Sequence, residues 1–467
     1  MKIDRYQDPY LPGHGDRRYA VKHYDLALDV GVVGNHVSAT AKLTVEAREE
    51  IDTVTLDLRG MAVRRVVVDG KAARKWRHSH GRLAVGLGHK LKPGATATID
   101  IGYSGNPKPV PGIHGAAGWE ELSDGITVAS QPQGAPSWYP CNDYPGDKAT
   151  YRIRVSADQA YRVISNGVLT STSRRSSRVV WTWEQREPMA SYLATLQIGR
   201  YAVLPLPAPS PAGSGGSGGS GTGAGSGGSG NGRGNGRGNG KVPALEVLYP
   251  ARKKAATVKA FARQTEMMEV FTRLFGPYPY PAYRAVVTDD VLEIPLEAQT
   301  LTIFGTNHLN PGWENERLIA HELAHQWFGN SLTATRWQDI WLHEGFACYS
   351  EWLWSEHTSR ASAARQARTH WEKVNKLPKD LVLGDPGSAL MFDDRIYKRG
   401  ALTLHALRVK LGDKVFFEML RAWTKARAHK GVDTPRFIAH AEGFAGRSLA
   451  AFFDRWLWRK SLPDLPH

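Results

Sequence analysis

The residues best suited to chemistry sit together in His321-Glu322-Leu323-Ala324-His325. Two histidines four apart lie on one face of a helix, where neutral imidazoles can fill two positions of a tetrahedral zinc site. Glu322 projects about a hundred degrees round the helix from either neighbour, so it addresses a metal-bound water rather than the metal. Catalytic zinc takes a third protein ligand and keeps one position open. Glu344 follows in Trp341-Leu342-His343-Glu344-Gly345-Phe346, with eighteen residues between His325 and Glu344. His343 is the rival third ligand. Adjacent helical residues diverge too far for both to reach one ion, and Glu344 is the better choice. The expectation is one zinc per chain, held by His321, His325 and Glu344, with Glu322 as general base.

Two helices must present this set. A helical run spans 314–328, and a second opens at Glu344 and continues through Tyr349, Trp352 and Leu353. Packed antiparallel, they bring Glu344 beside the histidine pair. The second half as a whole reads as α-rich, with an amphipathic pattern at Ala256, Val258, Phe261, Met267, Val270 and Phe271 that predicts one long helix. Strand patterns there are confined to 245–249, 283–288 and 300–304.

The first half has period two. Val37, Ala39, Ala41, Leu43 and Val45 alternate with polar residues, as do Ala97, Ile99 and Ile101, and turns such as Asp69-Gly70 and Asn166-Gly167 punctuate the runs. This predicts an antiparallel β domain over 1–207. Sixteen of the 48 glycines fall in the 28 residues from Gly213 to Gly240, a Ser/Asn/Gly composition with nothing to bury, so 208–241 reads as a disordered linker. The catalytic domain then occupies 242–467, and the fold class is multi-domain α+β.

At 467 residues the chain exceeds one compact core, and its 41% hydrophobic content excludes whole-chain disorder. Cys141 and Cys348 make no disulfide framework, which fits a reducing compartment. No apolar run approaches the roughly 20 residues that span a bilayer; the expectation is a soluble, cytoplasmic protein. Net charge is +15, yet the basic residues of 64–82 lie in strand-like sequence without aromatic interleaving, which argues against nucleic acid as partner.

The string from His321 to Asn330, His-Glu-Leu-Ala-His-Gln-Trp-Phe-Gly-Asn, together with Trp341 to Ala347, closely resembles the zinc aminopeptidases related to aminopeptidase N and leukotriene A4 hydrolase. The resemblance covers most of the chain and implies a thermolysin-like α/β catalytic domain behind the β domain. It also implies roles. Glu297, in Ile294-Pro295-Leu296-Glu297-Ala298, falls twenty-four residues before His321, where the family's Gly-x-Met-Glu-Asn signature carries the glutamate that binds the substrate α-amino group. Only that glutamate is retained. Tyr397, in Tyr397-Lys398-Arg399-Gly400-Ala401, matches the tyrosine that hydrogen-bonds the oxyanion. In the β domain, Gln131-Pro132-Gln133 and Trp138 to Tyr151 resemble the stretch whose second Gln or Glu reaches the cleft, which assigns substrate binding to Gln133. The resemblance stops with the catalytic domain, so the expectation is a short form without the helical carboxy-terminal domain of many relatives.

The activity implied is zinc-dependent release of the N-terminal residue from peptides with a free N-terminus. Ala298, Ile294 and His343 depart from the family's usual residues, so an endopeptidase, an epoxide hydrolase of the same fold, or a non-catalytic peptide-binding protein stand as alternatives.

Overall fold

The computed structural model describes residues 5–209 and 243–466. Most of the linker expected over 208–241 therefore lies outside the described residues.

The β domain is built on an eight-stranded sheet in the order 168–175, 178–190, 148–158, 19–31, 36–47, 96–105, 62–68 and 71–72. The alternation seen in sequence sets its faces: Val37, Ala39, Ala41, Leu43 and Val45 are all buried while their neighbours along His36–Ala47 are not. A five-stranded and a three-stranded sheet complete the domain. The sheet is antiparallel except at one pair. Tyr19–Gly31 and Lys148–Asp158 run parallel, with Leu26 opposite Ile153. Parallel neighbours need a long crossover, and here the chain builds the strands 36–47, 62–68, 71–72 and 96–105 of this sheet before it returns.

Tyr201–Pro205 pairs with Ala244–Pro250 rather than with the β domain. It forms one edge of the catalytic sheet, whose order continues through Ala282–Val287, Leu301–Phe304 and Leu296–Ala298. The three central strands are parallel and both edges antiparallel. Glu297 thus sits on an edge strand.

Nine α-helices follow among the described residues: α1 Lys254–Ala260, α2 Gln264–Phe275, α3 Trp313–Ala324, α4 Trp341–His357, α5 Ala363–Val374, α6 Asp394–Leu411, α7 Asp413–Arg427, α8 Thr434–Ala445 and α9 Ala450–Phe453. The predicted long helix is split into α1 and α2. At the break Phe261 is buried edge to face against Phe304, while Arg263 pairs with Glu266 and Glu316. Tertiary contacts here override local periodicity.

Helix α4 is the centre of the domain, buried at every residue from Trp341 to Ser355. A helix apolar all round belongs in a core, but this one carries His343, Glu344 and Glu351 into that core. It meets α6 at two glycines: a Cβ on Gly345 would stand 2.7 Å from the Gly400 Cα, and one on Gly400 would stand 2.6 Å from the Gly345 Cα. Any side chain at either position would push the helices apart.

Candidate active site

Helix α3 ends at Ala324, and the turn beyond it is tied down on all sides. Phe328 stacks on Phe346 of α4 with ring centroids 4.2 Å apart. Gln326 accepts from the Thr300 backbone N–H at 2.9 Å and donates to the Ala298 carbonyl at 3.0 Å, and Asn330 donates to the same carbonyl at 3.0 Å. These two amides fix the edge strand that carries Glu297 against the end of α3. Gly329 has φ 126°, a conformation that favours glycine.

The outcome is a cluster in which one ligand atom each from His321, His325 and Glu344 lie within 4.8 Å of one another. Glu344 Oε2 stands 3.6 Å from His321 Nε2 and 3.4 Å from His325 Nε2. Both Nδ1 atoms are occupied: His321 Nδ1 meets Glu351 Oε1 at 2.8 Å, and His325 Nδ1 meets the Phe328 carbonyl at 3.0 Å. Each ring therefore turns its Nε2 toward the common centre, and the acceptor behind it fixes the tautomer.

His343, the rival ligand, faces away. Its Nε2 accepts from the Ala334 backbone N–H at 2.7 Å, and burial first, with the fields of His325 and Lys148, pulls its pKa down to about 3 despite Glu344. It stays neutral and structural.

The local field draws positive charge. Burial works against the His321 imidazolium, but hydrogen bonds to Glu344 and Glu351 outweigh it and push the pKa up to about 9. At His325 burial is overcome by Glu297, Glu344 and Glu322, and the pKa rises to about 10. Glu344 is held well below the usual carboxylate range, because the two histidines outweigh its burial. Two imidazole nitrogens and a carboxylate oxygen, each oriented from behind, in a pocket that favours a cation, fit a zinc ion with a fourth position left open.

Glu322 and Tyr397 border the same cleft, a cavity of about 530 Å³. Glu322 Oε2 is buried without a hydrogen-bond partner among the described residues. Burial, reinforced by Glu297 and Glu344, raises its pKa against the pull of the histidines. The Tyr397 ring stacks beside His321 at 6.1 Å, and burial together with Glu344, Glu297 and Glu322 lifts its phenol well above the usual value, so it keeps its proton. Glu297 forms a second group with Glu322 and His325, their ligand atoms again within 4.8 Å.

Gln133 is not in the cleft. Its amide donates to the Val110 and Gly115 carbonyls, both at 3.1 Å. The β domain reaches the site through Gln131, which lines the cavity and donates from Nε2 to Glu297 Oε1 at 2.7 Å. Residues 131–134 form a turn, so neither glutamine's direction follows from strand alternation. Glu351 is the other site residue absent from the sequence reading. It lies seven residues after Glu344, two turns along α4, and that spacing on one helix face was the available signal.

Comparison with known proteins gives the family. Residues 20–193 match the peptidase M1 N-terminal domain, and residues 259–456 match the peptidase family M1 domain. A leucyl aminopeptidase of Saccharolobus solfataricus is 23% identical over 95% of this chain and 54% of its own length. A probable aminopeptidase of Sulfurisphaera tokodaii is 25% identical over 85% of this chain and 47% of its own. The chain thus spans about half the length of the curated relatives it matches. An M1 zinc metallopeptidase from Deinococcus radiodurans, solved as a glutamate-to-alanine mutant with a Tyr-Ser-Ala substrate, is 30% identical, superposes with a TM-score of 0.86, and is matched over 98% of this chain and 99% of its own. With both of its domains matched by family models and a solved relative covered end to end, this chain belongs to peptidase family M1.

Proposed function

We propose that this chain is a zinc-dependent aminopeptidase that removes the N-terminal residue of peptides. The observation that carries the reading is the position of Glu297, a carboxylate within 4.8 Å of Glu322 and His325 and hydrogen-bonded by Gln131. An ammonium paired with Glu297 would limit how far a peptide chain enters beside Glu322 and His325. Each further residue would add roughly 3.3–3.6 Å of extended chain.

Zinc bound by His321, His325 and Glu344 would supply Lewis acidity, polarising the scissile carbonyl and acidifying a water. Glu322 Oε2, with no competing partner, takes a proton from the attacking water and delivers it to the leaving amine nitrogen. The protonated Tyr397 hydroxyl donates to the oxygen on which negative charge develops. Glu297, assisted by the Gln131 amide oxygen, holds the substrate ammonium and sets how far the peptide enters. Glu322→Gln is expected to keep its zinc and lose turnover by about 10²- to 10⁴-fold, checked by metal content alongside kcat.

The deciding experiment is a panel of aminoacyl fluorogenic amides with free and acetylated amines, assayed with and without chelator, on the native chain and Glu297→Ala. Hydrolysis of free-amine substrates alone, abolished by chelator and weakened in Glu297→Ala with zinc retained, is expected. Equal rates on the acetylated series would replace the reading with an endopeptidase. No chelator-sensitive hydrolysis of any amide would remove peptidase activity altogether.

A further inference from the structure

A second cavity, of about 480 Å³, lies between the two domains and shares no lining residue with the catalytic cleft. Four arginines border it: Arg17 and Arg48 from the β domain, Arg336 from the segment leading into α4, and Arg436 from the first turn of α8. The carboxylates bordering it are Asp339 and Asp433, so the lining carries four cationic groups against two anionic, a net of +2.

Both carboxylates are partly committed. Asp339 Oδ1 accepts from the Thr434 backbone N–H at 3.1 Å and from its hydroxyl at 2.6 Å, and the carboxylate also lies within electrostatic reach of Arg336 without an ion pair to it. Asp433 caps α8 through the Arg436 backbone N–H at 2.9 Å and pairs with that residue's guanidinium. Arg48 reaches the buried Asp147 at 3.3 Å. Arg17 and Arg336 have no ion pair and no side-chain hydrogen bond among the described residues; Arg17 only faces the Tyr144 ring at 5.7 Å. Asp8 lies within electrostatic reach of both, but its two oxygens serve the Tyr10 and Trp337 backbone N–H groups.

Guanidinium groups brought to one concavity repel each other, and the arrangement is relieved by an anion that accepts from several at once. Arginine's planar fork matches phosphoryl oxygens two at a time. The cavity is large for a single phosphate, and Trp458 on its rim is 41% exposed, an indole available to an apolar group. We infer that this junction is a binding site for a small anion carrying two or more phosphoryl charges, held between Arg17 and Arg336. Such a ligand would tie the β domain to the segment that leads into α4. The site is independent of the peptidase chemistry.

Calorimetric titration of the zinc-loaded chain with pyrophosphate and with ADP tests it, alongside Arg17→Gln/Arg336→Gln and a control, Arg64→Gln/Arg77→Gln, that removes equal charge from exposed strands elsewhere. One-to-one binding is expected, at least about 10-fold weaker in the junction variant and within about two-fold of native in the control. ADP binding tighter than pyrophosphate, with the gain lost in Trp458→Ala, would identify a nucleotide as the source; equal affinities would identify an inorganic phosphoryl anion. Absence of binding by the native chain, or equal binding by native and junction variant, overturns the site. The second result also covers anions drawn to zinc, because that centre is unchanged in the variant.

Discussion

Glu351 shows how much of the proposed metal site lies behind the residues that would hold the ion. Its carboxylate receives His321 Nδ1 at 2.8 Å and Arg317 at 3.2 Å, and it is held at a pKa of about 2, since His321 first, then Lys398 and Arg317, outweigh its burial. It orients the ring and enriches the electron density at Nε2. Glu351→Gln is expected to lower zinc affinity about 10- to 100-fold, read by chelator competition, with turnover largely restored by excess zinc. Loss of turnover that zinc cannot restore would show that Glu351 acts on the reaction rather than on the ligand. The glutamines offer a paired prediction. Gln131→Ala is expected to raise KM for free-amine substrates while zinc content stays constant. Gln133→Ala leaves the Val110 and Gly115 carbonyls without their donor, and is expected to cost about 1–3 kcal/mol of stability with KM little changed. A KM effect confined to Gln133→Ala would return the substrate contact to that residue.

At the scale of elements, α4 and α6 are each fixed by one missing side chain. The Gly345–Gly400 contact lets the helix bearing Glu344 approach the helix bearing Tyr397 at backbone distance. Gly345→Ala is expected to destabilise the chain by about 1–3 kcal/mol through overpacking, with a further drop in kcat as Tyr397 and the ligands separate. Denaturant unfolding and kinetics measure the two parts, and unchanged kcat at reduced stability would show that the separation is absorbed elsewhere. Much of this level was legible. The spacing of His321, His325 and Glu344 defined which faces of α3 and α4 must meet, and the alternation of Val37 to Val45 defined which side of the sheet is buried. What stayed hidden depends on contacts between distant segments: the break at Phe261 is set by Phe304, the parallel pairing of Tyr19–Gly31 by a strand more than a hundred residues later, and the direction of Gln131 by a turn.

Across the whole molecule a +15 net charge coexists with an acidic cleft, because charge is distributed by site. Glu297, Glu322, Glu344 and Glu351 all line the cleft, which suits a substrate ammonium and a dication, while arginines collect at the domain junction. That junction is also where the site is assembled, since Gln131 and Glu297 come from different domains. Hydrogen bonds hold them in register: Asn166 donates to the Gln299 carbonyl at 2.7 Å, Arg284 to the Gly167 carbonyl at 2.7 Å, and the Gly167 backbone N–H to Thr300 Oγ1 at 2.7 Å. Lys148 is the deepest of these ties. Its ammonium leaves the start of a β-domain strand and donates to the Asn330 and Ser331 carbonyls at 2.8 Å and to Thr333 Oγ1 at 3.0 Å, just beyond the turn that carries His325. Burial pulls its pKa down to about 7, and three acceptors for three N–H groups compensate the charge. Lys148→Met keeps the apolar stem but strands the Ser331 carbonyl and leaves that of Asn330 with the Thr333 hydroxyl alone, at an expected cost of about 2 kcal/mol. Because the lost bonds cross the domain boundary, the variant is expected to melt at lower temperature and to raise KM through Gln131 without losing zinc. A Lys148→Met chain with native melting and native KM would show that the remaining ties suffice to dock the two domains.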